Sequence, residues 1–192
     1  MSSITVVKRD GTREPFDANK INLALVKASE GLPDQISKVV EVASQLQLTL
    51  FDGITSEQLD EAVINTALQN VKDDPDFDKI AARLLLKTIY KKVLGDYETP
   101  EQLKKLHEKK FATYLKDAVA DGLLDKRMSD PKVFDLKKLA SALDPTKDDL
   151  SKYLGVITNK NRYALRKGSG EPIEVPQFTH MRIAMGLSYN RC

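Results

Sequence analysis

The sequence predicts a mainly α-helical chain. A small β-hairpin and a four-helix unit form a first domain at 1–95, and a helical region with a second short β-hairpin follows at 96–192. Two observations predict this class. Apolar residues recur at spacings of three and four through most of the chain, which is the period of an amphipathic helix. Short alternating stretches occur near residue 10 and again after residue 155, and turn residues interrupt both.

The first domain opens with the predicted hairpin. Apolar residues flank a polar turn at Asp10-Gly11, a dipeptide that supplies the positive φ of a tight hairpin turn. Asp17 then lies where a helix N-cap is expected, and Gly31 closes the first helix at its C-terminal end. The hairpin therefore leads directly into helix one.

Three further helices complete the predicted four-helix unit. Helix two runs from Pro33 to a stop at Asp52. Helix three begins at a capping box formed by Thr55 and Gln58. Helix four covers Phe77–Leu94 and carries basic residues in its last turn, where they complement the helix dipole.

The second region is predicted to begin with a long amphipathic helix over residues 99–122, capped by its first residue. Shorter helical patterns follow at 133–143 and 147–154. Residues 155–175 alternate and turn, which predicts two short strands, and residues 177–187 are again helical.

Composition narrows the class of protein. The chain has 192 residues, of which 41% are hydrophobic and 30% charged, and this is typical of a folded globular protein. A net charge of +2 gives no global field for nucleic acid, so an anion site must be local. Cys192 is the single cysteine, which excludes an internal disulfide framework. Without an export signal or a membrane span in the sequence, we expect a cytoplasmic protein.

The N-terminal stretch VVKRDGTREPFDANKI concentrates charge in a short span. Taken alone, Lys8 and Arg9 are typical of a solvated hairpin tip. Binding a polyphosphate requires further cations from other elements. Lys20 in the first turn of helix one and Lys91 in the last turn of helix four are candidates, although each is also typical of a surface lysine. These residues by themselves leave both interpretations open.

Three motifs separate the two interpretations. VxKRDGxxExFDxxKI, FDGITSEQLDEAVI and DPDFDKIAARLLLKTIYKK occur in that order between residues 4 and 95. In sequence and spacing they resemble the ATP-cone, the regulatory nucleotide-binding domain of ribonucleotide reductase large subunits. This resemblance implies a hairpin with four helices and an allosteric site for ATP or dATP with Mg²⁺.

The resemblance also implies which residues bind the nucleotide. Lys8 and Arg9 match positions that meet the nucleotide, Ser56 matches a hydroxyl position, Asp60 matches the sugar-sensing position, and Lys91 matches a phosphate-binding lysine. The segment that wraps the base and phosphates matches Glu14, Pro15, Phe16, Asp17, Ala18, Asn19 and Lys20.

Structural alternatives exist for several of these positions. Ser56 also suits a helix cap, Asp60 a pair with a neighbouring lysine, and Glu14 a cross-strand pair with Lys8. Some members of the family have histidine at the position of Asp60, which leaves its contact open. The alternatives do not explain why all of these residues occur at the spacing of the ATP-cone.

The second region extends the resemblance. Glu174, Pro176 and Gln177, followed by Met-Arg-Ile-Ala at 181–184, resemble the segment that precedes the catalytic barrel of the reductase large subunit. The chain stops before that barrel and its cysteines, and Cys192 matches no reductase cysteine. We therefore expect an N-terminal fragment of a ribonucleoside-diphosphate reductase, with no catalytic residue or metal site of its own. His107 and His180 lack partners for catalysis in the sequence and receive no role.

The resemblance implies regulation and partners. ATP is expected to support activity and dATP to inhibit it by favouring an inactive oligomer. The implied partners are the remainder of the large subunit and a radical-generating small subunit, with no nucleic acid or membrane. Two alternatives stay open: a transcriptional repressor that carries an ATP-cone, which lacks support because its four-cysteine zinc ribbon is absent here, and a helical scaffold that binds a partner without nucleotide.

Overall fold

The computed structural model describes residues 4–188, and Cys192 lies outside them. It confirms the predicted class, since helices dominate and a small sheet lies near the N-terminus. Contacts divide the chain into two compact units between Thr88 and Ile89, whereas the sequence predicted a boundary after residue 95. Among the described residues, no helix is long and apolar enough to cross a bilayer.

The first unit contains a three-stranded sheet and helices. The strands are β1 (Thr5–Val7), β2 (Arg13–Pro15) and β3 (Ile54–Thr55), and the helices are α1 (Ala18–Ala28), α2 (Gln35–Gln47), α3 (Ser56–Gln69) and α4 (Asp76–Leu94), within which the division into units falls. The strand order is β2-β1-β3, with β1 antiparallel to β2 and parallel to β3. The sequence did not predict β3, because a strand of two residues is too short to show alternation.

Helix α2 is shorter than predicted at both ends. It begins at Gln35, after Asp34 adopts a left-handed conformation with φ of 47°. It ends at Gln47 instead of continuing to Asp52, because the Asp52 carboxylate accepts hydrogen bonds from the backbone and hydroxyl of Thr5 at 2.9 and 2.7 Å. The residues after α2 are thus held against β1 and lead into β3.

The core of the first unit forms where the helices meet one another and the sheet. Its most deeply buried side chains include Val6, Leu25, Val42, Leu46, Ile54, Ala67, Phe77, Ile80 and Ala81. Lys38 is also buried, and its ammonium lies 2.8 Å from Asp74 and 3.3 Å from Asp76. The guanidinium of Arg83 donates to the carbonyl of Ala28 and so satisfies the C-terminal end of α1.

The second unit is helical. Its helices are α5 (Pro100–Ala120), α6 (Leu136–Ser141), α7 (Tyr153–Thr158) and α8 (Pro176–Ser188), with 3₁₀ turns at Lys126–Ser129 and Pro145–Leu150. The predicted first strand after residue 155 is wrong: α7 continues into a π-helix at Asn159–Tyr163. The hairpin is reduced to one bridge between Arg166 and Pro172. Helical hydrogen bonds satisfy the backbone up to Ala164, whose N–H donates to the carbonyl of Asn159.

An aromatic cluster and a buried carboxylate organise the second unit. Phe178 is fully buried, stacks on Tyr114 and meets Phe111 and His107 edge-on. Glu174, which is 1% exposed, accepts hydrogen bonds from Tyr114, Thr179, Arg182 and the backbone N–H of Leu165. Residues from α5 and α8 are therefore tied to one anionic centre.

The two histidines differ in environment. His107 is fully buried, and its Nδ1 lies 2.8 Å from the carbonyl of Leu103, so this nitrogen carries the proton. Within residues 4–188, its Nε2 is the buried side-chain polar atom that lacks a hydrogen-bond partner. His180 is exposed, and its Nε2 lies 3.4 Å from the side-chain amide nitrogen of Asn159.

Acidification is expected to destabilise the second unit through His107. Burial lowers the pKa of His107 below the ordinary value of 6.5, so the unfolded chain takes up a proton that the folded unit does not. The free energy of unfolding should therefore fall as the pH drops below about 6.5, by at most about 1.4 kcal/mol per pH unit. Urea unfolding followed by tyrosine fluorescence tests this, because all six tyrosines lie at residue 90 or later.

The control for this prediction is His107→Gln. Burial raises the pKa of Asp148, which gives a stability change of opposite sign as the pH falls toward that pKa, but this contribution is common to both proteins. The difference in unfolding free energy between the native chain and His107→Gln should shrink between pH 7 and pH 5. A difference that stays constant over this range would contradict the assignment.

Candidate functional site

The pairing of β1 with β3 determines the geometry of the candidate site. The two strands are parallel, with Val7 opposite Thr55. Both strands therefore end at the same edge of the sheet. Lys8 follows β1 at this edge, and Ser56 follows β3. The residues that come next in each segment are also close together, since Nε of Arg9 lies 3.6 Å from a carboxylate oxygen of Glu57. Lys8 and Arg9 are thus placed beside the N-terminus of α3.

Glu14 links the hairpin to α1. Its two carboxylate oxygens lie 2.8 Å from Nζ of Lys8 and 3.0 Å from Nζ of Lys20. Lys20 belongs to the first turn of α1, so this helix contributes a third cation to the same face. We call Lys8, Arg9 and Lys20 the cationic edge; all three residues are exposed.

Hydrogen bonds between Glu14 and the lysines shift the pKa values of Glu14 and Lys8. Hydrogen bonds from Lys8 and Lys20 lower the pKa of Glu14 below its ordinary value, so this carboxyl is ionised at neutral pH. The same hydrogen bond to Glu14 raises the pKa of Lys8, which keeps the ammonium protonated. Lys8 and Glu14 therefore form a charged pair within the site.

The N-terminus of α3 forms the opposite side of the site. Thr55 is its N-cap, and the predicted capping box is present, since the Thr55 hydroxyl accepts from the backbone of Gln58 at 3.1 Å and the Gln58 side chain accepts from the backbone of Thr55 at 3.0 Å. Ser56 is therefore the first helical residue and not the cap. Ser56 is half-buried and lies at the positive end of the helix dipole, which favours anions. Asp60 is half-buried one turn further along α3.

The remaining predicted residues of the 14–20 segment have identifiable structural positions. Pro15 ends β2, and the backbone N–H of Phe16 donates to Ile4. Asp17 is the N-cap of α1, as predicted, and accepts from the backbone of Asn19 at 2.9 Å. Ala18 is the first residue of that helix. This segment thus joins the hairpin to the first turn of α1, and its role toward a ligand stays a prediction.

Lys91 is described with the second unit, because the division falls within α4 before this residue. Its ammonium lies 3.4 Å from the carboxylate of Asp96, and its side chain is 54% exposed. Lys91 is thus a surface lysine in this structure, which is one of the two interpretations that the sequence left open. Its predicted contact with phosphate stays a prediction.

Sequence reasoning missed two features of the site. The parallel β3 strand was not predicted, although it aligns Lys8 with Ser56. The pair between Arg9 and Glu57 was also missed, because the two residues are far apart in sequence and periodicity does not connect them. Within the described part of the chain, no group of three or more His, Cys, Asp or Glu residues is arranged to hold a metal ion.

Comparison with known families gives a match over the first unit and the start of the second. Residues 4–92 match the model of the ATP cone domain. This range contains every residue of the cationic edge and the N-terminus of α3. The match agrees with the three motifs that the sequence presents in order.

Curated relatives match nearly the whole chain. The ribonucleoside-diphosphate reductase subunit alpha of Helicobacter pylori is 35% identical over 188 residues, which cover 97% of this chain and 22% of that protein. The corresponding subunit of Chlamydia trachomatis serovar D is 29% identical over 98% of this chain and 18% of its own length. That of Enterobacteria phage T4 is 28% identical over 97% of this chain and 24% of its own length. The chain therefore spans about a fifth of the length of these relatives.

Proposed function

We propose, on the premise that residues 4–92 match the ATP cone domain, that they bind ATP or dATP with Mg²⁺ as allosteric effectors. In this proposal ATP supports, and dATP inhibits, the reduction of ribonucleotides to deoxyribonucleotides by a ribonucleoside-diphosphate reductase large subunit. We also propose a cytoplasmic location, which agrees with this function and with a single cysteine that forms no internal disulfide.

One observation carries the proposal: the parallel pairing of β1 with β3. It places Lys8 and Arg9 beside the N-terminus of α3, and Glu14 draws Lys20 to the same face. A triphosphate is recognised by several cations together with a helix N-terminus, because both complement its distributed negative charge. Three elements that are separate in sequence supply these groups here.

The proposed roles follow from the match to the ATP cone domain. Lys8, Arg9 and Lys20 contact phosphates, while the segment 14–20 surrounds the base and phosphates, and Lys91 contributes a further phosphate contact. Ser56 offers its hydroxyl at the start of α3, and Asp60 lies near the ribose. The Mg²⁺ ion is carried by the phosphates themselves, as is usual for this ion.

Discrimination between ATP and dATP depends on one ribose hydroxyl. A hydrogen bond to this group contributes only about 0.5–1.5 kcal/mol, so a single site separates the two nucleotides weakly. A ligand shifts an equilibrium between assemblies only by its differential affinity for them. We therefore propose that several protomers act together, with dATP favouring an inactive oligomer.

The second region is proposed to join this regulatory domain to the remainder of the large subunit. Its relatives are named as reductase alpha subunits and extend far beyond the matched part. The catalytic chemistry and the contact with a radical-generating small subunit belong, in this proposal, to the whole protein. The present chain contributes regulation rather than catalysis.

A helical scaffold that binds a partner without nucleotide is the second candidate. It is favoured by exposed apolar side chains on α1 and α2, namely Leu23, Val26, Ile36 and Val40, which are 43–81% exposed. Such side chains are common on surfaces that contact other proteins. Nucleotide binding distinguishes this candidate from the regulatory one.

The test is titration calorimetry of the 192-residue chain with ATP and with dATP in the presence of Mg²⁺. We expect saturable binding of both nucleotides, weakened by Lys91→Ala, and a larger assembly with dATP than with ATP in sedimentation velocity. The absence of binding by the folded chain would favour the scaffold. Equal effects of ATP and dATP on assembly would contradict the proposed regulation.

A further inference from the structure

Glu14 lies between two members of the cationic edge. Each of its carboxylate oxygens contacts a different lysine, Lys8 at 2.8 Å and Lys20 at 3.0 Å. The two lysines come from different elements, since Lys8 follows β1 and Lys20 belongs to α1. The carboxylate therefore occupies the position between two ammonium groups that an anionic ligand also seeks.

These contacts are accessible and exchangeable. The side chains of Lys8 and Lys20 are 46% and 59% exposed, and that of Glu14 is 32% exposed. Ion pairs with this exposure are weak, because water screens the charges and both side chains lose conformational freedom. A multivalent anion can therefore replace the carboxylate without unfolding the hairpin.

We infer that Glu14 is an internal counter-ion that incoming phosphates displace, and that it sets the minimum charge a ligand needs in order to bind. The inference rests on the proposed function and assigns a specific role within the same site. A single phosphate only replaces the carboxylate's contacts with Lys8 and Lys20, so its net gain in binding free energy is small. A triphosphate has additional oxygens for Arg9 and the N-terminus of α3, which offset the displacement.

The displacement imposes a similar cost on every anion. Both lysines lose their carboxylate contact when a phosphate binds, and the freed carboxylate repels that phosphate. Weakly bound anions such as orthophosphate then fail to saturate the site, whereas a chain of three phosphates still binds. Removing the charge of Glu14 should therefore tighten the binding of phosphates in general.

The experiment compares the native 192-residue chain with Glu14→Gln, using tripolyphosphate, orthophosphate and ATP as probes in titration calorimetry. Asp73→Asn is the matched control, because it removes one negative charge from an exposed residue beyond the opposite end of α3. We expect Glu14→Gln to bind tripolyphosphate about fivefold more tightly, a factor that two weak exposed ion pairs together account for, and Asp73→Asn to bind it as the native chain does. Circular dichroism confirms that both variants are folded.

The outcomes separate this inference from the proposed function. Tighter tripolyphosphate binding by Glu14→Gln supports the inference even if the native chain fails to bind ATP, in which case only the proposed function fails. Unchanged or weaker tripolyphosphate binding overturns the inference. Weaker ATP binding by Glu14→Gln, without a gain for tripolyphosphate, shows that Glu14 contacts the nucleoside; this also overturns the inference but leaves the proposed function standing.

Discussion

Replacing Lys8 with alanine is expected to weaken ATP binding about tenfold or more. A charge-assisted hydrogen bond to a phosphate contributes about 1.5–3 kcal/mol, and about 1.4 kcal/mol corresponds to a factor of ten. Lys8 lies where β1 leaves the sheet beside the N-terminus of α3, so its ammonium can reach an anion held there. Titration calorimetry of Lys8→Ala against the native chain measures the change.

Lys72→Ala is the matched control for this prediction. It removes the same charge from a side chain that is 80% exposed, beyond the opposite end of α3. We expect Lys72→Ala to bind ATP as the native chain does. An equal loss of affinity in both variants would show that only the net charge of the domain matters, and it would contradict a localised site.

Replacing Arg182 with alanine is expected to destabilise the second unit by about 3–5 kcal/mol. Arg182 lies 2.5 Å from the carboxylate of Glu174, which is fully buried, and it also donates to the carbonyl of Tyr163 at 2.9 Å. Removing the cation leaves a buried negative charge without its partner, and this is the costly way to break a buried ion pair. Tyrosine fluorescence during urea unfolding reports the loss, because every tyrosine lies at residue 90 or later.

A control variant and a double variant test this prediction. Arg162→Ala removes an exposed guanidinium, and we expect it to change stability by no more than about 0.5 kcal/mol. A double variant, Glu174→Gln with Arg182→Ala, should be less destabilised than Arg182→Ala alone, because it also removes the buried charge. If Arg182→Ala costs less than about 1 kcal/mol, Glu174 does not depend on this partner.

Local sequence signals predicted where three helices begin. Asp17, Thr55 and Thr99 were expected to be N-caps, and each side chain accepts a backbone hydrogen bond at the start of its helix. These signals are reliable because a cap is satisfied within the next three residues and needs no tertiary partner. Asp52 shows the opposite case, since its bond to Thr5 is long-range and ended α2 earlier than its apolar pattern indicated.

The second unit shows where periodicity fails. Residues 155–163 alternate as a strand does, yet they form the end of α7 and a π-helix. The segment is short, and an alternating pattern of this length is also compatible with an α-helix or π-helix when tertiary contacts favour one. Buried Glu174 lies in a segment that resembles a family motif, but its network with Tyr114 and Arg182 involves residues that no local pattern connects.

The candidate site was predicted in part. The resemblance identified Lys8, Glu14 and Lys20, and the structure brings these three together. Their arrangement could not be read from the sequence, because it depends on the parallel β3 strand and on the pair between Arg9 and Glu57. The sequence therefore indicated which residues to consider, whereas pairing between distant segments determines where they lie.

The most direct test of the central claim is a two-dimensional ¹⁵N–¹H NMR titration of the 192-residue chain with ATP and Mg²⁺. We predict that the largest shift changes fall at residues 8–20 and 55–60, where the cationic edge meets the N-terminus of α3. The amides of Lys72 and Asp73 should change little, since they lie beyond the opposite end of that helix. Saturating shifts confined to residues outside these two segments, or no shifts at all, would contradict the account.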